Sequence, residues 1–509
     1  MRSTLSFIAV LFLASTAAFA QQSPRRPMRQ RPPASQPAAS PEEGPPPGQF
    51  AVTQHSIMLN GKELDYQATA GKMELKDDNG KPLADFFFVA YSKLPAENPT
   101  TRPITFVFNG GPGSSAIWLH IGGIGPMRVD LPPDGIPGPP PYHLVPNEQT
   151  WLNTTDLVFI DPVGTGYSTP APGVDPKQFY SVDGDISAMA NFIRLYLTRN
   201  DRWLSPRFLA GESYGTTRAA GLSDYLFQRY GIQLNGIIFM STVFNFETLD
   251  FSEGNDLPYE LYLPTYASLA IYHKKITVAD RSQTLADAEK WALTDYAAAL
   301  AKGGDLSAVQ RQAIAAQLSK YTGLSEHYIL QNHLRVTPDR FRKELLNDQA
   351  LLIGRYDGRL TAPDPDPTGS RGDTDPSFDL YLPVYYDCFN NYVRDDLKYV
   401  SSAVYEGLRP TGWDFGEHGE GYLNVTRDLM MAMLENPHMK VLFAAGYYDL
   451  ATPFAETNYT AHHLNLTDQL GGRIVQTYYP SGHMIYHVEA ARVKLQKDVA
   501  AFMGAAIGG

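Results

Sequence analysis

The sequence predicts an α/β chain built on a central, mostly parallel sheet and interrupted by a large, helix-rich insertion. Three observations carry that expectation. Short apolar runs without polar alternation recur along the chain, as strands buried on both faces of a parallel sheet require. Stretches with apolar residues at helical spacing separate several of these runs. Over a long middle stretch the runs stop, and aromatic, helix-forming sequence takes their place.

In chain order, Val52–Asp65 and then Lys72–Leu75 are expected to form a first hairpin or meander, followed by the apolar strand Ala84–Ala90. Thr105–Phe108 runs into Asn109-Gly110-Gly111, and Asp156–Ile160 into Asp161-Pro162. Phe208–Ala210 runs into Gly211, Ile237–Met240 into Ser241, and Val441–Ala445 into Gly446. Between them, Asp183–Thr198 carries Ile186, Met189, Ala190, Ile193 and Leu197 at helical spacing, and Thr217–Tyr230 also reads as helix. Sites in such sheets lie at the carboxyl ends of the strands. In the middle, Ala279–Leu300 and Leu306–Tyr321 are expected helices, and Thr361–Pro376 an exposed Pro/Asp/Gly loop. The Arg-Gly-Asp at 371–373 is too short to signify adhesion. The expected organisation is a core of residues 49–245 and 437–509, with 246–436 inserted as a cap.

The 509 residues are 43% hydrophobic and 12% aromatic, enough to bury a large core. A formal net charge of −12 argues against a nucleic-acid partner and is read as solubility. Arg2, the apolar run Leu5–Leu13 and Ala18-Phe19-Ala20 have the form of an export signal ending in an A-x-A cleavage site. That run is short for a bilayer span, and no later stretch reaches about 18 apolar residues; an uncleaved anchor is the alternative. Residues 1–20 are therefore expected to be removed, leaving an exported chain, periplasmic or secreted, without stable membrane insertion. Residues 21–48, rich in Pro, Gln, Ser and Arg, read as a disordered linker. With Cys388 as its one cysteine the chain forms no internal disulfide, which favours a bacterial exported enzyme. The thiol is expected to be buried rather than nucleophilic.

Gly211-Glu212-Ser213-Tyr214-Gly215 matches G-x-S-x-G between an apolar run and a helical stretch, the context of a nucleophile elbow. A serine hydroxyl needs a base, and the base an orienting acid. Asp449 and His483 follow at strand ends in the order Ser, Asp, His. His487, His462 and His463 are rival bases, the last two in an expected helix facing solvent. His483 and His487 stand at a metal-pair spacing, but no third ligand completes a zinc pattern, so neither a metal nor an organic cofactor is expected. Asn109–Ser115 is a glycine-rich loop able to aim N–H groups at an oxyanion; it lacks the Lys-Ser/Thr of a phosphate cradle.

NGGPGSS (109–115), DPVGTGYS (161–168), GESYG (211–215), Asp449 and Gly482-His483-Met484 occur in order. Together they resemble the serine carboxypeptidase family of the carboxypeptidase Y and cathepsin A type, from about Ala84 to Ala501. The resemblance implies an α/β-hydrolase fold with a central mostly parallel sheet and a large helical cap insertion. It implies an enzyme that removes C-terminal residues from peptides through an acyl-enzyme. Ser213 then matches the nucleophile, His483 the base and Asp449 the acid. The N–H groups of Gly111 and Tyr214 match the oxyanion hole. Asn109, Gly110 and Glu212 match positions that bind a substrate's free C-terminal carboxylate. A carboxyl beside the nucleophile can donate a hydrogen bond to that carboxylate only when protonated, so cleavage is expected to be fastest below neutral pH.

The chain departs from the family pattern at three positions. Val107 stands where the family usually has Trp, Ser114 where it has Cys, and Gly123 where a second carboxylate-binding Glu falls. Two alternatives follow: an esterase or acyltransferase using the same triad, and a non-catalytic binding protein on this scaffold.

Overall fold

The computed structural model describes residues 48–508, apart from 370, 371, 373, 410, 411, 417–420 and 465–471. The expected export signal, the Pro-rich linker up to residue 47, and Arg371 and Asp373 of the Arg-Gly-Asp tripeptide lie outside the described residues.

Nine strands form the path of the main sheet among the described residues. They are β1 (Phe50–Leu59), β2 (Lys62–Lys76), β3 (Pro82–Leu94), β4 (Ile104–Phe108), β5 (Asp156–Ile160), β6 (Arg207–Ser213), β7 (Gly236–Thr242), β8 (Lys440–Gly446) and β9 (Ile474–Tyr479). Their spatial order is β1-β2-β3-β5-β4-β6-β7-β8-β9, and Thr169–Pro170 pairs with β3 beside the path. The first three strands are an antiparallel meander, and β3 joins β5 antiparallel. From β5 onward every pairing is parallel. This is the expected α/β-hydrolase architecture.

The expected first hairpin or meander is present at the amino end, with one turn inside Val52–Asp65: Asn60 and Gly61, at φ 50° and 76°, turn the chain between β1 and β2. Asn-Gly at positive φ is the preferred two-residue hairpin turn. The 361–376 region differs from an exposed loop. Thr361–Pro363 pairs with Leu351–Ile353, and Asp364 is buried in an ion pair with Lys343 at 2.5 Å.

The unalternated apolar runs are explained by burial on two faces. Val107, Phe208, Ala210, Ile238 and Leu442 enter one core cluster, while Phe106, Phe108, Leu209, Phe239 and Phe443 enter the other. Helices α1 (Val182–Arg199) and α2 (Tyr214–Tyr230) cover the second face. Helix α3 (Leu257–Tyr272) and the chain to Ile353 build a third cluster with Tyr448 and Leu450. Helix α4 (Pro376–Asp395), in contrast, packs into the first sheet cluster through Tyr381, Tyr385 and Phe389.

The sheet's order decides where a site can form. From β4 the chain moves to β5 on one side; from β6 it moves to β7 on the other. The crevice at the carboxyl ends of β4 and β6 is therefore a topological switch point, the usual place for a ligand in an open α/β sheet.

Asp156 anchors the opposite end. Its carboxylate accepts from Arg102 Nε at 3.0 Å, Arg202 Nη1 at 2.6 Å and the Lys93 amide at 3.2 Å, with Asp156 and both arginines little exposed. Asp156→Ala would strand two guanidinium groups away from water. A loss of about 3–5 kcal/mol in unfolding free energy is expected, measured by denaturant titration.

Candidate active site

Ser213 ends β6 and immediately precedes α2, with φ 60° and ψ −132°. A non-glycine residue held there stores roughly 1–3 kcal/mol of strain, which the packing around it must outweigh. The flanking glycines allow it. A Cβ on Gly211 would strike the Gly215 carbonyl, and one on Gly215 would lie 2.9 Å from the Phe108 carbonyl oxygen. Strand, turn and helix meet here backbone to backbone.

The loop after β4 closes on the same turn. A side chain on Gly110 would collide with the amide nitrogens of Tyr214 and Gly215, so the loop lies directly against the amino end of α2. The first N–H groups of a helix have no partner within it. Gly111, at φ 101°, keeps the loop turned over them. The loop is pinned from the far side: Ser115 N donates to the Gly407 carbonyl at 3.0 Å, and Arg409 N to Gly113 at 2.9 Å. Ser114 accepts from Trp118 Nε1 at 3.1 Å.

The structure brings Asp449 and His483 together. His483 Nδ1 and Asp449 Oδ2 are 2.7 Å apart, with 3% and 0% side-chain exposure. Asp449 Oδ1 accepts from the Ala451 and Thr452 amides at 2.7 and 3.1 Å, and Oδ2 from the Thr452 hydroxyl at 2.8 Å. His483 is held by its own backbone as well. Its N–H donates to the Tyr356 carbonyl at 2.6 Å, and its carbonyl accepts from Ser241 Oγ at 2.7 Å. With Nδ1 engaged, Nε2 is the nitrogen left for chemistry. Burial pulls the imidazole pKa down, but the charge and hydrogen bond of Asp449, with Glu212, leave it above its ordinary value.

Glu212 is buried, at 3% exposure. Its Oε1 accepts from Asn109 Nδ2 at 2.8 Å and from the Tyr486 hydroxyl at 3.4 Å, while Oε2 is buried without a partner. Burial pushes the carboxyl up to about 7, against the opposing effects of His483 and the two donors. Asn109 is itself fixed, its Oδ1 accepting from Leu119 N at 3.0 Å and its carbonyl from Arg218 Nη1 at 2.5 Å.

Asn109, Gly110, Gly111, Glu212, Ser213 and His483 line one cavity, walled otherwise by Ser114, Trp118, Tyr356, Phe378, Leu408 and Met484. Tyr214, the first residue of α2, is buried and is not among the lining residues. The rival histidines are elsewhere. His462 and His463 are exposed, and His487 is buried with its Nε2 2.7 Å from the Tyr385 hydroxyl. Sequence reasoning missed Thr452, Tyr356, Phe378, Leu408 and Tyr486. An Asp followed three residues later by Thr is a local turn signal that could have found Thr452. The aromatic wall has no local signature.

These features define an α/β hydrolase with a serine, a histidine and two carboxyl groups at its switch point. Residues 60–348, more than half of the chain, match the serine carboxypeptidase family, and the chain belongs to it. Serine carboxypeptidase-like 33 of Arabidopsis thaliana is 29% identical over 168 residues, covering 32% of each chain. Retinoid-inducible serine carboxypeptidase of Mus musculus is 30% identical over 175 residues, covering 33% of this chain and 35% of that one. The aligned stretch thus spans about a third of the length of these curated relatives. The crystal structure of a prohormone-processing carboxypeptidase from Saccharomyces cerevisiae shares the fold. Its TM-score is 0.53 at 17% identity, over 86% of this chain and 91% of that one.

A fluorophosphonate probe should label wild type at Ser213 and leave Ser213→Ala unlabelled. Asp449→Asn should slow labelling by about 10³–10⁴-fold by releasing the imidazole from its tautomer. Mass spectrometry of the labelled peptide and the labelling rate check both.

Proposed function

We propose that this protein is an exported serine carboxypeptidase, periplasmic or secreted, acting on peptides with a free C-terminal carboxylate. The observation that carries the proposal is Glu212: a buried carboxyl with an unpartnered oxygen, adjacent in sequence to Ser213 and lining the same cavity. Ser213 Oγ attacks the scissile carbonyl carbon and passes its proton to His483 Nε2, while Asp449 steadies the imidazolium. The Gly111 and Tyr214 N–H groups receive the oxyanion. His483 returns the proton to the leaving amine, the peptide C–N bond breaks, and water repeats the sequence on the acyl-enzyme. Asn109, Gly110 and Glu212 hold the terminal carboxylate. Residues 246–436 act as a cap; Tyr356, Phe378 and Leu408 come from that segment and line the cavity.

The apolar wall of Trp118, Tyr356, Phe378, Leu408 and Met484 favours an apolar side chain beside the scissile bond. Replacing Leu or Phe there by Asp should lower kcat/KM at least about tenfold, because a charge would be buried unpaired.

The pH dependence follows from two groups that feel each other. The working enzyme needs Glu212 protonated and His483 neutral. As pH rises through about 7, Glu212 loses its proton and repels the substrate carboxylate. At lower pH His483 gains a proton and ceases to be a base. Peptide cleavage should therefore be bell-shaped in kcat/KM and fastest below neutrality. The descending limb should disappear in Glu212→Gln. Blocked dipeptides, their C-terminal amides and their esters, assayed across pH, test this. Preference for the free acid with a Glu212-dependent limb is the expected result. Turnover of esters alone would point to an esterase or acyltransferase, and an unchanged profile in Glu212→Gln would sink the carboxylate clamp.

A further inference from the structure

We propose that Tyr486 is a positioning residue for Glu212, and that its hydroxyl sets which carboxyl oxygen faces the substrate. The proposal rests on the carboxypeptidase reading for its kinetic consequence and on geometry for the rest.

Tyr486 lies three residues beyond His483 and is fully buried. Its ring occupies ground left open by two glycines. A Cβ on Gly123 would stand 2.5 Å from Tyr486 Cβ, and one on Gly122 would run into the Tyr486 ring and lie 2.6 Å from the Tyr385 hydroxyl. The backbone of Tyr486 is tied by Arg492 Nη1, which donates to its carbonyl at 3.0 Å. So placed, the hydroxyl donates to Glu212 Oε1 at 3.4 Å, beside the 2.8 Å bond from Asn109.

The shorter contact on Oε1 comes from the Asn109 amide nitrogen, which can only donate, its Oδ1 being engaged by Leu119 N; the Tyr486 hydroxyl, which can donate or accept, adds a second hydrogen to the same oxygen when it donates. The proton therefore belongs on Oε2, the oxygen left without a protein partner. An incoming carboxylate oxygen is the complementary acceptor. Asn109 and Tyr486 together fix the carboxyl plane so that its acidic side is offered to the ligand.

The hydroxyl also biases the titration. Donors to a carboxyl favour its ionised form, so the Tyr486 hydroxyl holds Glu212 below where burial alone would place it. The groups facing Glu212 are His483 and Asp449 across the site, Tyr385 from α4, and Tyr486 and Asn109 in direct contact. Removing the phenol oxygen changes one of these and keeps the ring that fills the space over Gly122 and Gly123.

Tyr486→Phe should therefore raise the pH of half-protonation of Glu212 by roughly half a unit. Two readouts separate the proposal from the reading it rests on. Infrared difference titration follows the protonated carboxyl band, assigned by its loss in Glu212→Gln; the kcat/KM profile on a free-acid peptide follows the descending limb. Both should move upward together. Gly123→Ala, which pushes Tyr486 away, should move them in the same direction. A carboxyl titration that stays in place or moves down in Tyr486→Phe overturns the proposal. An infrared shift without any pH limb in peptide cleavage upholds it and overturns the carboxypeptidase reading instead.

Discussion

Everything in the site depends on two backbones meeting without side chains between them. The loop after β4 and the turn between β6 and α2 come so close that Gly110 faces the Tyr214 and Gly215 amides, and Gly211 faces Gly215. Only that approach puts the Gly110–Gly111 segment and the amino end of a helix on one side of a serine. It also explains why Ser213 is held at φ 60°. The sheet supplies the frame: β4 and β6 are parallel neighbours with Phe108 opposite Gly211, so both loops leave the sheet at the same level. From there the chain diverges to opposite sides, and the crevice stays open.

The electrostatics follow from burial at that crevice. His483 and Glu212 are both buried and line the same cavity, and each alters the other's protonation. A proton on Glu212 removes one of the charges that hold the imidazole up, leaving burial to draw it down. Asp449 counters this from behind, clamped by two amides and the Thr452 hydroxyl. The same low-dielectric setting makes the pair responsive to small changes in hydrogen bonding, so a single phenol at Tyr486 matters.

Much of this was legible because local chemistry dictates it. The parallel strands declare themselves as unalternated apolar runs, since both faces are covered. The elbow declares itself through Gly211 and Gly215, and Asp449 and His483 through their position after strands. The amino-terminal meander was legible as such, but not the position of its first turn, at Asn60-Gly61 within Val52–Asp65. Asp364 reads as a loop residue until Lys343 is brought to it by the fold. The cavity wall was out of reach for a deeper reason. Met484 follows His483 directly, but Trp118, Tyr356, Phe378 and Leu408 come from four separate stretches, and none of these has a neighbour in sequence that explains its place.

Perturbed acidity alone would not have singled out the site. Burial pushes several carboxyl groups upward, among them Asp161, Glu212 and Glu260 to about 7 and Glu456 to about 8. Asp161 accepts from Ala116 N at 2.9 Å and the Tyr405 hydroxyl at 3.3 Å, joining the loop after β4 to the chain near residue 405. Glu456 accepts from Thr248 and Thr460 at 3.2 and 2.9 Å, tying the chain after β7 to the helix that follows Asp449. Both are cross-links between segments, held by donors that oppose the upward effect of burial. Asp161, Glu212 and Glu456 each keep one oxygen without a protein partner, but of these carboxyl groups it is Glu212 that lines the cavity, where a ligand could meet that oxygen. The shift in acidity marks burial; access to the space beside Ser213 is what turns a buried acid into a candidate for recognition.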